Sequence, residues 1–330
     1  MKRRLIAEIG GNHEGDFAVA KELLYSALNT ECEVIKFQIY TGDTLVNPKL
    51  SPNRNKHFKK FELSVDQYHE LAEITEAHGK EFNASIWDKN LFEEFKKYLK
   101  FIKIGSGDMT NYPLLKQMAA TELPIVLSTG LSTFVEVNDA IAFLKKENAI
   151  YKSKENLCVL QCTSMYPIPN SEANLNVLNA YESLNVEVGY SDHTIGNKAL
   201  SVAYARGAST LEFHFTLERL KSREFRDHKV SLIARDVNSL VEELNDIDDL
   251  LGSRIKSPTK SELESGHRST FRRAVFLNKS KNRGEIINLN DLTFLRPEIG
   301  VPAKDYSLIL GKKCNRDIDK LDPLDLKYFD

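Results

Sequence analysis

The chain has 330 residues, enough for one large domain followed by a small one. Charged residues make up 28% of it and the formal net charge is −2, so nothing indicates the basic surface of a nucleic-acid-binding protein. The chain has no apolar run of membrane-spanning length, its start does not read as a signal peptide, and its four cysteines have no disulfide or metal spacing. We therefore expect a soluble, cytoplasmic protein without nucleic-acid or membrane partners.

Eight short apolar runs in the first 220 residues are predicted to be buried strands, namely 5–9, 34–37, 82–87, 101–104, 124–127, 157–161, 186–190 and 209–216. Helix-length stretches with apolar residues three and four positions apart lie between most of them, as at 18–28, 67–77 and 112–120. Strands alternating with helices imply parallel pairing, and eight such units predict a (β/α)8 TIM barrel. Polar residues follow nearly every strand, at the end where such barrels carry their active sites.

The remainder of the chain predicts a second, smaller domain. A charged helix at 236–251 is followed by a polar stretch, 253–268, that has the composition of a linker. Short strands with glycine and proline between them then predict a compact β-rich module. The predicted organisation is a catalytic barrel at 1–252, a linker at 253–268 and a module at 269–330.

Two histidines, His193 and His214, stand at the ends of the seventh and eighth predicted strands. Neighbouring barrel strands bring their ends together, so the two imidazoles could share one divalent ion, with coordination positions left open for catalysis. Asp192 and Glu212 are the nearest carboxylates to orient such ligands or a substrate. The alternative is that the histidines are independent polar residues with no shared ligand.

Two lysines, Lys36 and Lys103, lie within apolar strands, where lysine is seldom buried without a partner. One of them could pair with a barrel carboxylate such as Glu8, or one could be the Schiff-base nucleophile of an aldolase. Both could instead clamp an anion, which we favour because serines stand at neighbouring strand ends: Ser85, Ser106, Ser164 and Ser191. Glu8 could also be a general base whose pKa is raised by burial.

Eight motifs follow one another along the barrel: Ala-Glu-Ile-Gly-Gly-Asn-His-Glu-Gly-Asp (7–16), Ile-Lys-Phe-Gln (35–38), Lys-Ile-Gly-Ser-Gly-Asp (103–108), Asn-Tyr-Pro-Leu (111–114), Leu-Ser-Thr-Gly (127–130), Gln-Cys-Thr-Ser-Met-Tyr-Pro-Ile-Pro (161–169), Gly-Tyr-Ser-Asp-His-Thr (189–194) and Glu-Phe-His-Phe-Thr (212–216). In this order and spacing they resemble the sialic acid (N-acetylneuraminate) synthase family, and the match covers nearly the whole chain. Residues 270–312 resemble that family's C-terminal antifreeze-like (SAF, β-clip) domain.

The resemblance implies an enzyme that condenses phosphoenolpyruvate with an open-chain N-acylated hexosamine, such as N-acetylmannosamine, to a nonulosonic acid, releasing phosphate by C–O cleavage. It implies a divalent metal, Mn²⁺ or Mg²⁺, on His193 and His214. Phosphoenolpyruvate is then expected at Lys36, Ser85, Lys103, Ser106, Ser164 and Ser191. The sugar or the chemistry is expected at Glu8, Gln38, Asp108, Tyr166, Glu212 and Asp227. Our candidate for proton handling is Glu8, and Arg296 matches an arginine that reaches the partner's site in a domain-swapped homodimer.

Two departures from the family pattern leave the acceptor sugar open. Ser164 stands where the family often has asparagine, and residues 222–232 replace a Gly-Pro-Asp type loop near the sugar. Synthases for pseudaminic, legionaminic or spore-coat sugars, and the variant that uses a phosphorylated sugar, are therefore alternatives. The runner-up enzyme is a Schiff-base aldolase acting on pyruvate, and a non-catalytic carbohydrate-binding barrel is the alternative from another class.

Overall fold

A parallel eight-stranded barrel forms the first of two compact units, which divide after Gly252 in the computed structural model; residues 3–218 and 224–330 are described. The predicted (β/α)8 fold is confirmed. Its strands are β1 Arg4–Gly10, β2 Val34–Ile39, β3 Glu81–Ile86, β4 Ile102–Ile104, β5 Ile125–Ser128, β6 Leu157–Cys162, β7 Glu187–Asp192 and β8 Thr210–His214. Its helices are α1 Phe17–Leu28, α2 Gly42–Leu45, α3 Pro52–Lys60, α4 Val65–Ala77, α5 Lys89–Phe95, α6 Tyr112–Ala119, α7 Phe134–Glu147, α8 Val177–Tyr181, α9 Lys198–Ala205 and α10 Ala234–Leu251.

Hydrogen-bonded pairing runs through the sheet in the order β3-β2-β1-β8-β7-β6-β5-β4. The two end strands, β3 and β4, also contact each other, which closes the barrel. A side chain bridges this seam, since Asn83 Nδ2 in β3 donates to the carbonyl oxygen of Phe101 at 2.8 Å. An amide side chain of β3 therefore bonds to the residue directly before β4, where the barrel closes.

The barrel interior has an apolar layer below a charged layer. Ile6, Val34 and Phe101 belong to one buried cluster with Val126, Cys158 and Leu160. Because side chains two positions apart on a strand share a face, Glu8, Lys36 and Lys103 continue these same inward rows toward the carboxyl ends of the strands. The alternate residues, such as Leu5 and Ala7, belong to the large core between strands and helices. This two-residue period places the ionisable groups inside the barrel mouth.

Side-chain caps mark the starts of two of the barrel's helices. Ser64 and Gln67 form a capping box at the start of α4, and Thr133 and Glu136 form one at α7. Each pair satisfies backbone amides that have no partner within the first turn of the helix. The predicted strands and helices lie within two residues of the observed ones at most ends, and the eighth strand is shorter than predicted because its regular ladder stops at His214.

The second unit contains a small antiparallel sheet. Its elements are α11 Lys260–Glu264, α12 His267–Phe271, β9 Ala274–Leu277 and β10 Leu292–Leu295. Leu292 pairs with Leu277 and Leu295 with Ala274 in this two-stranded sheet, which packs over its own apolar core. The predicted β-rich module therefore exists.

The polar stretch 253–268, which is predicted to be a linker, is not uniformly extended. Helix α11 and the start of α12 lie within it. Thr259 and Glu262 form a capping box that starts α11. A helical residue advances the chain by about 1.5 Å rather than about 3.3 Å, so the reach of this segment is shorter than that of an extended linker.

Two further expectations concern the whole chain. No helix of the described residues combines the length and apolarity that crossing a membrane requires. The four cysteines are buried and unpaired: Cys32, Cys158, Cys162 and Cys314.

Candidate active site

Two histidines face each other at the carboxyl ends of β7 and β8. The ring centres of His193 and His214 lie 5.3 Å apart, and both side chains are buried. The ring of Tyr166, from the loop after β6, lies 4.0 Å from His193 and 5.6 Å from His214. The three rings form one cluster at the barrel mouth.

Hydrogen bonding determines which nitrogen of His193 carries a proton. His193 Nδ1 lies 2.7 Å from the carbonyl oxygen of Thr163, which can only accept, so Nδ1 donates and Nε2 carries the free lone pair of the neutral ring. Nδ1 of His214 is buried without a hydrogen bond, 3.5 Å from Oδ2 of Asp227. Burial lowers the pKa of His193 to about 4 and that of His214 to about 3. Both imidazoles are therefore neutral near pH 7.

Neutral imidazoles are the form that binds divalent metals. A ring centre lies roughly 3 Å from an ion bound at one of its nitrogens, so the spacing of His193 and His214 fits a shared ion. The buried nitrogen of His214 without a hydrogen bond supports the same interpretation. Within residues 3–218 and 224–330, however, no group of three or more His, Cys, Asp and Glu side chains is arranged to hold a metal. Two protein ligands would leave the other positions to substrate or water.

A buried ionic cluster lies in the charged layer of the barrel. Lys36 forms an ion pair with Glu8 and lies 3.7 Å from Glu212 Oε2. Lys103 lies 3.5 Å from Glu212 Oε1, and Ser191 donates to that same oxygen at 2.9 Å. Glu212 therefore bridges both lysines. The alternative in which a lysine pairs with Glu8 is present in the structure, and it does not exclude anion binding.

The two carboxyl groups of this cluster have opposite pKa shifts. Burial raises the pKa of Glu8 to about 7, against the lowering effect of Lys36. Lys103 and Lys36 outweigh burial at Glu212 and lower its pKa to about 2. The nearby carboxylates raise the pKa of Lys36, so that lysine stays charged. Glu212 is therefore a carboxylate near neutral pH, held between the two lysines.

Serine hydroxyls surround the lysines. Lys36 donates to Ser85 Oγ at 3.3 Å, and Lys103 donates to Ser128 Oγ at 2.8 Å. Ser128 was not among the predicted site residues, although it ends β5, as the other serines stand at or near the ends of their strands. Its position in Leu-Ser-Thr-Gly was the signal that would have found it.

Two further serines meet at a glycine. Ser106 Oγ accepts from the backbone amide of Gly130 at 3.0 Å. A Cβ atom on Gly130 would lie 2.2 Å from Ser164 Oγ and 2.8 Å from Ser106 Oγ. Glycine is therefore required at this position for both hydroxyls to converge.

The polar residues predicted for the sugar lie around the same mouth. Gln38 Nε2 donates to Glu8 Oε1 at 2.7 Å, which orients that carboxylate. Asp108 accepts from the Trp87 indole at 2.5 Å, and burial raises its pKa. Asp227 is 3% exposed, and burial raises its pKa too, against the effect of Arg226.

The loop after β8 completes the mouth. Phe225 packs on Gly11, where a Cβ atom would lie 2.5 Å from the phenyl ring, and its ring centre lies 5.1 Å from that of Phe61. The backbone amides of Glu224 and Phe225 donate to Glu14 Oε1 at 2.7 and 2.8 Å. The first two residues of the divergent segment 222–232 lie outside the described residues.

Arg296 belongs to the second unit, directly after β10. Its guanidinium lies 5.2 Å from the ring centre of Phe271. Its predicted role at a partner's barrel stays a prediction.

The chain is similar over nearly its whole length to named synthases. The NeuB family model matches residues 23–256, and the SAF domain model matches residues 272–327. The N,N'-diacetyllegionaminic acid synthase of Legionella pneumophila is 33% identical over 95% of this chain and 91% of its own length. The human N-acetylneuraminate-9-phosphate synthase is 32% identical over 94% of this chain and 88% of its own. A crystal structure of the N-acetylneuraminic acid synthetase of Leptospira borgpetersenii with citrate aligns with a TM-score of 0.74 at 28% identity, covering 81% of this chain and 91% of that one.

Proposed function

The chain belongs to the NeuB family, whose named members are synthases, and we propose that it condenses phosphoenolpyruvate with an N-acylated hexosamine to form a nonulosonic acid and phosphate. The observation that carries this proposal is the buried pair of lysines ringed by serine hydroxyls, next to two neutral imidazoles. The lysines and serine hydroxyls suit the dianionic phosphate and the carboxylate of phosphoenolpyruvate. The two imidazoles suit an acceptor that reacts through its aldehyde.

Phosphoenolpyruvate is held by Lys36 and Lys103, with hydroxyls at Ser85, Ser106, Ser164 and Ser191. Ammonium groups bind phosphate and carboxylate oxygens as point charges, and hydroxyls rotate to donate to the remaining oxygens. The burial of both ammonium groups beside serine hydroxyls supports this assignment. Fixed in this way, the methylene carbon of phosphoenolpyruvate lies in near-attack geometry toward the acceptor.

The acceptor sugar lies between the histidines and the residues predicted for it: Gln38, Asp108, Tyr166, Glu212 and Asp227. A divalent ion bound at His193 and His214 would polarise the sugar aldehyde as a Lewis acid. Tyr166 lies against both imidazoles and covers them, which supports exclusion of water from that side.

Attack of the methylene carbon on the aldehyde leaves an oxocarbenium-like C2, which water captures; the C2–O bond to phosphate then breaks. Glu8 is our candidate for the proton of that water. Its pKa of about 7 lets it accept a proton and release it again near neutral pH. Gln38 and Lys36 hold the carboxyl group from two sides, which supports a fixed position for proton transfer.

The test is phosphate release from phosphoenolpyruvate in the presence of a panel of N-acylated hexosamines, phosphorylated and not. We expect release that depends on the sugar, with the two products formed in equal amounts. A lysine aldolase would instead act on pyruvate, and borohydride would trap its imine. Trapping with pyruvate, together with no release of phosphate from phosphoenolpyruvate, would overturn the proposal.

We also propose that Arg296 acts in trans in a homodimer. A guanidinium suits carbonyl and hydroxyl oxygens through several donors. Mixing an Arg296→Ala chain with a His214→Ala chain tests this, because a swapped heterodimer rebuilds one intact site. Recovered activity on co-refolding supports the swap, and no recovery in isolated heterodimers refutes it.

A further inference from the structure

Arg226 lies at the barrel mouth and has no role in the proposed reaction. It is the first residue of a short 3-10 helix, Arg226–Lys229, in the loop after β8. Its neighbours on both sides, Phe225 and Asp227, are 5% and 3% exposed. The side chain of Arg226 is 64% exposed. Because both neighbours are buried, the backbone at Arg226 is held in place, and the exposed side chain extends from a fixed position.

Two contacts fix the direction of the guanidinium. It lies 4.1 Å from the ring centre of Tyr166, the ring that packs on His193. Its Nε donates to Asp227 Oδ1 at 3.1 Å. Stacking on an aromatic face and an ion pair through one edge leave the two Nη groups at the other edge of the planar fork. No hydrogen bond in the described part of the chain engages those Nη groups.

We propose that Arg226 is a specificity residue for the acceptor, and that its Nη groups donate to a neutral oxygen of the sugar, the carbonyl of an acylamino group. This inference rests on the proposed function and names the substrate class that the site selects. The guanidinium lies on Tyr166, the ring that packs against both imidazoles, and is therefore close to the predicted acceptor position. A carbonyl oxygen accepts from two such donors.

The charges around Arg226 favour a neutral substituent on the acceptor sugar over an anionic one. Asp227 already offsets the charge of Arg226, and Glu212 contributes another carboxyl group to the site, beside the two lysines. Phosphoenolpyruvate would bring a phosphate and a carboxylate of its own to the two lysines. A second phosphate on the acceptor would therefore be repelled by these anions, whereas a neutral acyl carbonyl would not be.

The experiment compares Arg226→Met, Arg226→Lys and the control Lys229→Met in the full chain. Lys229 is an exposed cation in the same short helix, and nothing assigns it to the site. KM and kcat are measured for N-acetylmannosamine, for its 6-phosphate and for a 2,4-diacetamido hexose, each with saturating phosphoenolpyruvate. KM for phosphoenolpyruvate is measured separately.

We expect Arg226→Met to raise KM for the best neutral acceptor by about tenfold or more, since hydrogen bonds to a charged donor are lost. KM for phosphoenolpyruvate should stay within about twofold in its separate measurement. Arg226→Lys should recover only part of the loss, because lysine keeps the charge without the planar fork. Lys229→Met should behave as the unmodified chain does.

Three results would overturn the inference. A KM for every acceptor that stays within about twofold in Arg226→Met removes the role of Arg226 while the synthase function stands. A loss confined to the phosphorylated acceptor shows that the residue selects phosphate. Failure of the unmodified chain to release phosphate with any acceptor removes the proposed function itself, and the role of Arg226 with it.

Discussion

Replacing Glu212 by glutamine should destabilise the barrel and make it depend on a bound anion. The substitution keeps the shape of the side chain but removes the charge between two buried lysines, whose Nζ atoms lie 3.7 and 3.5 Å from the carboxylate oxygens. At an effective dielectric constant of about 20, each pair is worth about 4 to 5 kcal/mol of attraction. Part of this is offset because the carboxylate no longer has to be desolvated, and breaking a buried pair costs about 3 to 5 kcal/mol net.

The assay is thermal unfolding with and without phosphoenolpyruvate or inorganic phosphate. For a domain of this size, the net loss corresponds to a midpoint lowered by roughly 6 to 20 °C. Added anion should restore more of the midpoint in Glu212→Gln than it adds to the unmodified chain, because it meets lysines that have lost a counter-charge.

The matched control is Glu187→Gln, at the opposite end of the neighbouring strand. Glu187 has a side chain that is 38% exposed and pairs with Lys154 at 3.9 Å. Its replacement should lower stability by less than about 1 kcal/mol, with no anion-specific recovery. Equal midpoints for Glu212→Gln and the unmodified chain, with equal responses to phosphate, would refute the view that the lysines form an anion site.

Three further predictions concern single residues. In His214→Ala, Mn²⁺ and Mg²⁺ should fail to restore the turnover that EDTA abolishes in the unmodified chain, while the circular dichroism spectrum stays the same; full turnover of a rigorously metal-free preparation would contradict this. Gly130→Ala should raise KM for phosphoenolpyruvate about tenfold or more, with little change in KM for the sugar, because the new Cβ displaces the hydroxyls of Ser106 and Ser164. An unchanged KM for phosphoenolpyruvate would be evidence against binding of this substrate by the two serines. Burial lowers the pKa of His13 from 6.5 to about 4, so the unfolded chain takes up this proton first as pH falls. Stability should fall by up to about 3 kcal/mol between pH 6.5 and 4 and show no such loss above pH 6.5; the difference from His13→Asn in urea titrations measures this, and parallel pH profiles would contradict it.

The sequence predicted the barrel because strand and helix periodicities differ and alternate along it. Each strand of the first unit carries an apolar run whose inward row ends in ionisable or hydroxyl side chains, as Ile6 and Glu8 illustrate. Period-two alternation puts such residues on one face, so their place at the mouth follows from the fold.

The sequence does not specify which side chains pair with one another within the site. Glu8 and Glu212 stand on adjacent strands, where Glu8 pairs with His214 and Glu212 with Ile6, and only coordinates show that Glu212 bridges both lysines. The role of Asn83 at the seam likewise depends on where the barrel closes. Such contacts are set by register and side-chain conformation, which the pattern of residue types does not specify.

Local signals were also overlooked. The Thr259–Glu262 capping box is visible in the sequence, and it predicts the helix found inside the predicted linker. Arg226 gave no local signal, because its contact with Tyr166 joins the loops after β6 and β8. Tertiary contacts between loops of different strands are the part of such a site that sequence patterns leave undetermined.

The most direct test of the proposed condensation follows the bridging oxygen of phosphoenolpyruvate. The chain is incubated with metal, an accepted sugar and phosphoenolpyruvate carrying ¹⁸O between C2 and phosphorus, and the released phosphate is examined by ³¹P nuclear magnetic resonance. Capture of C2 by water followed by C–O cleavage predicts that the label appears in phosphate. Phosphate released without the label would mean P–O cleavage and would contradict the mechanism.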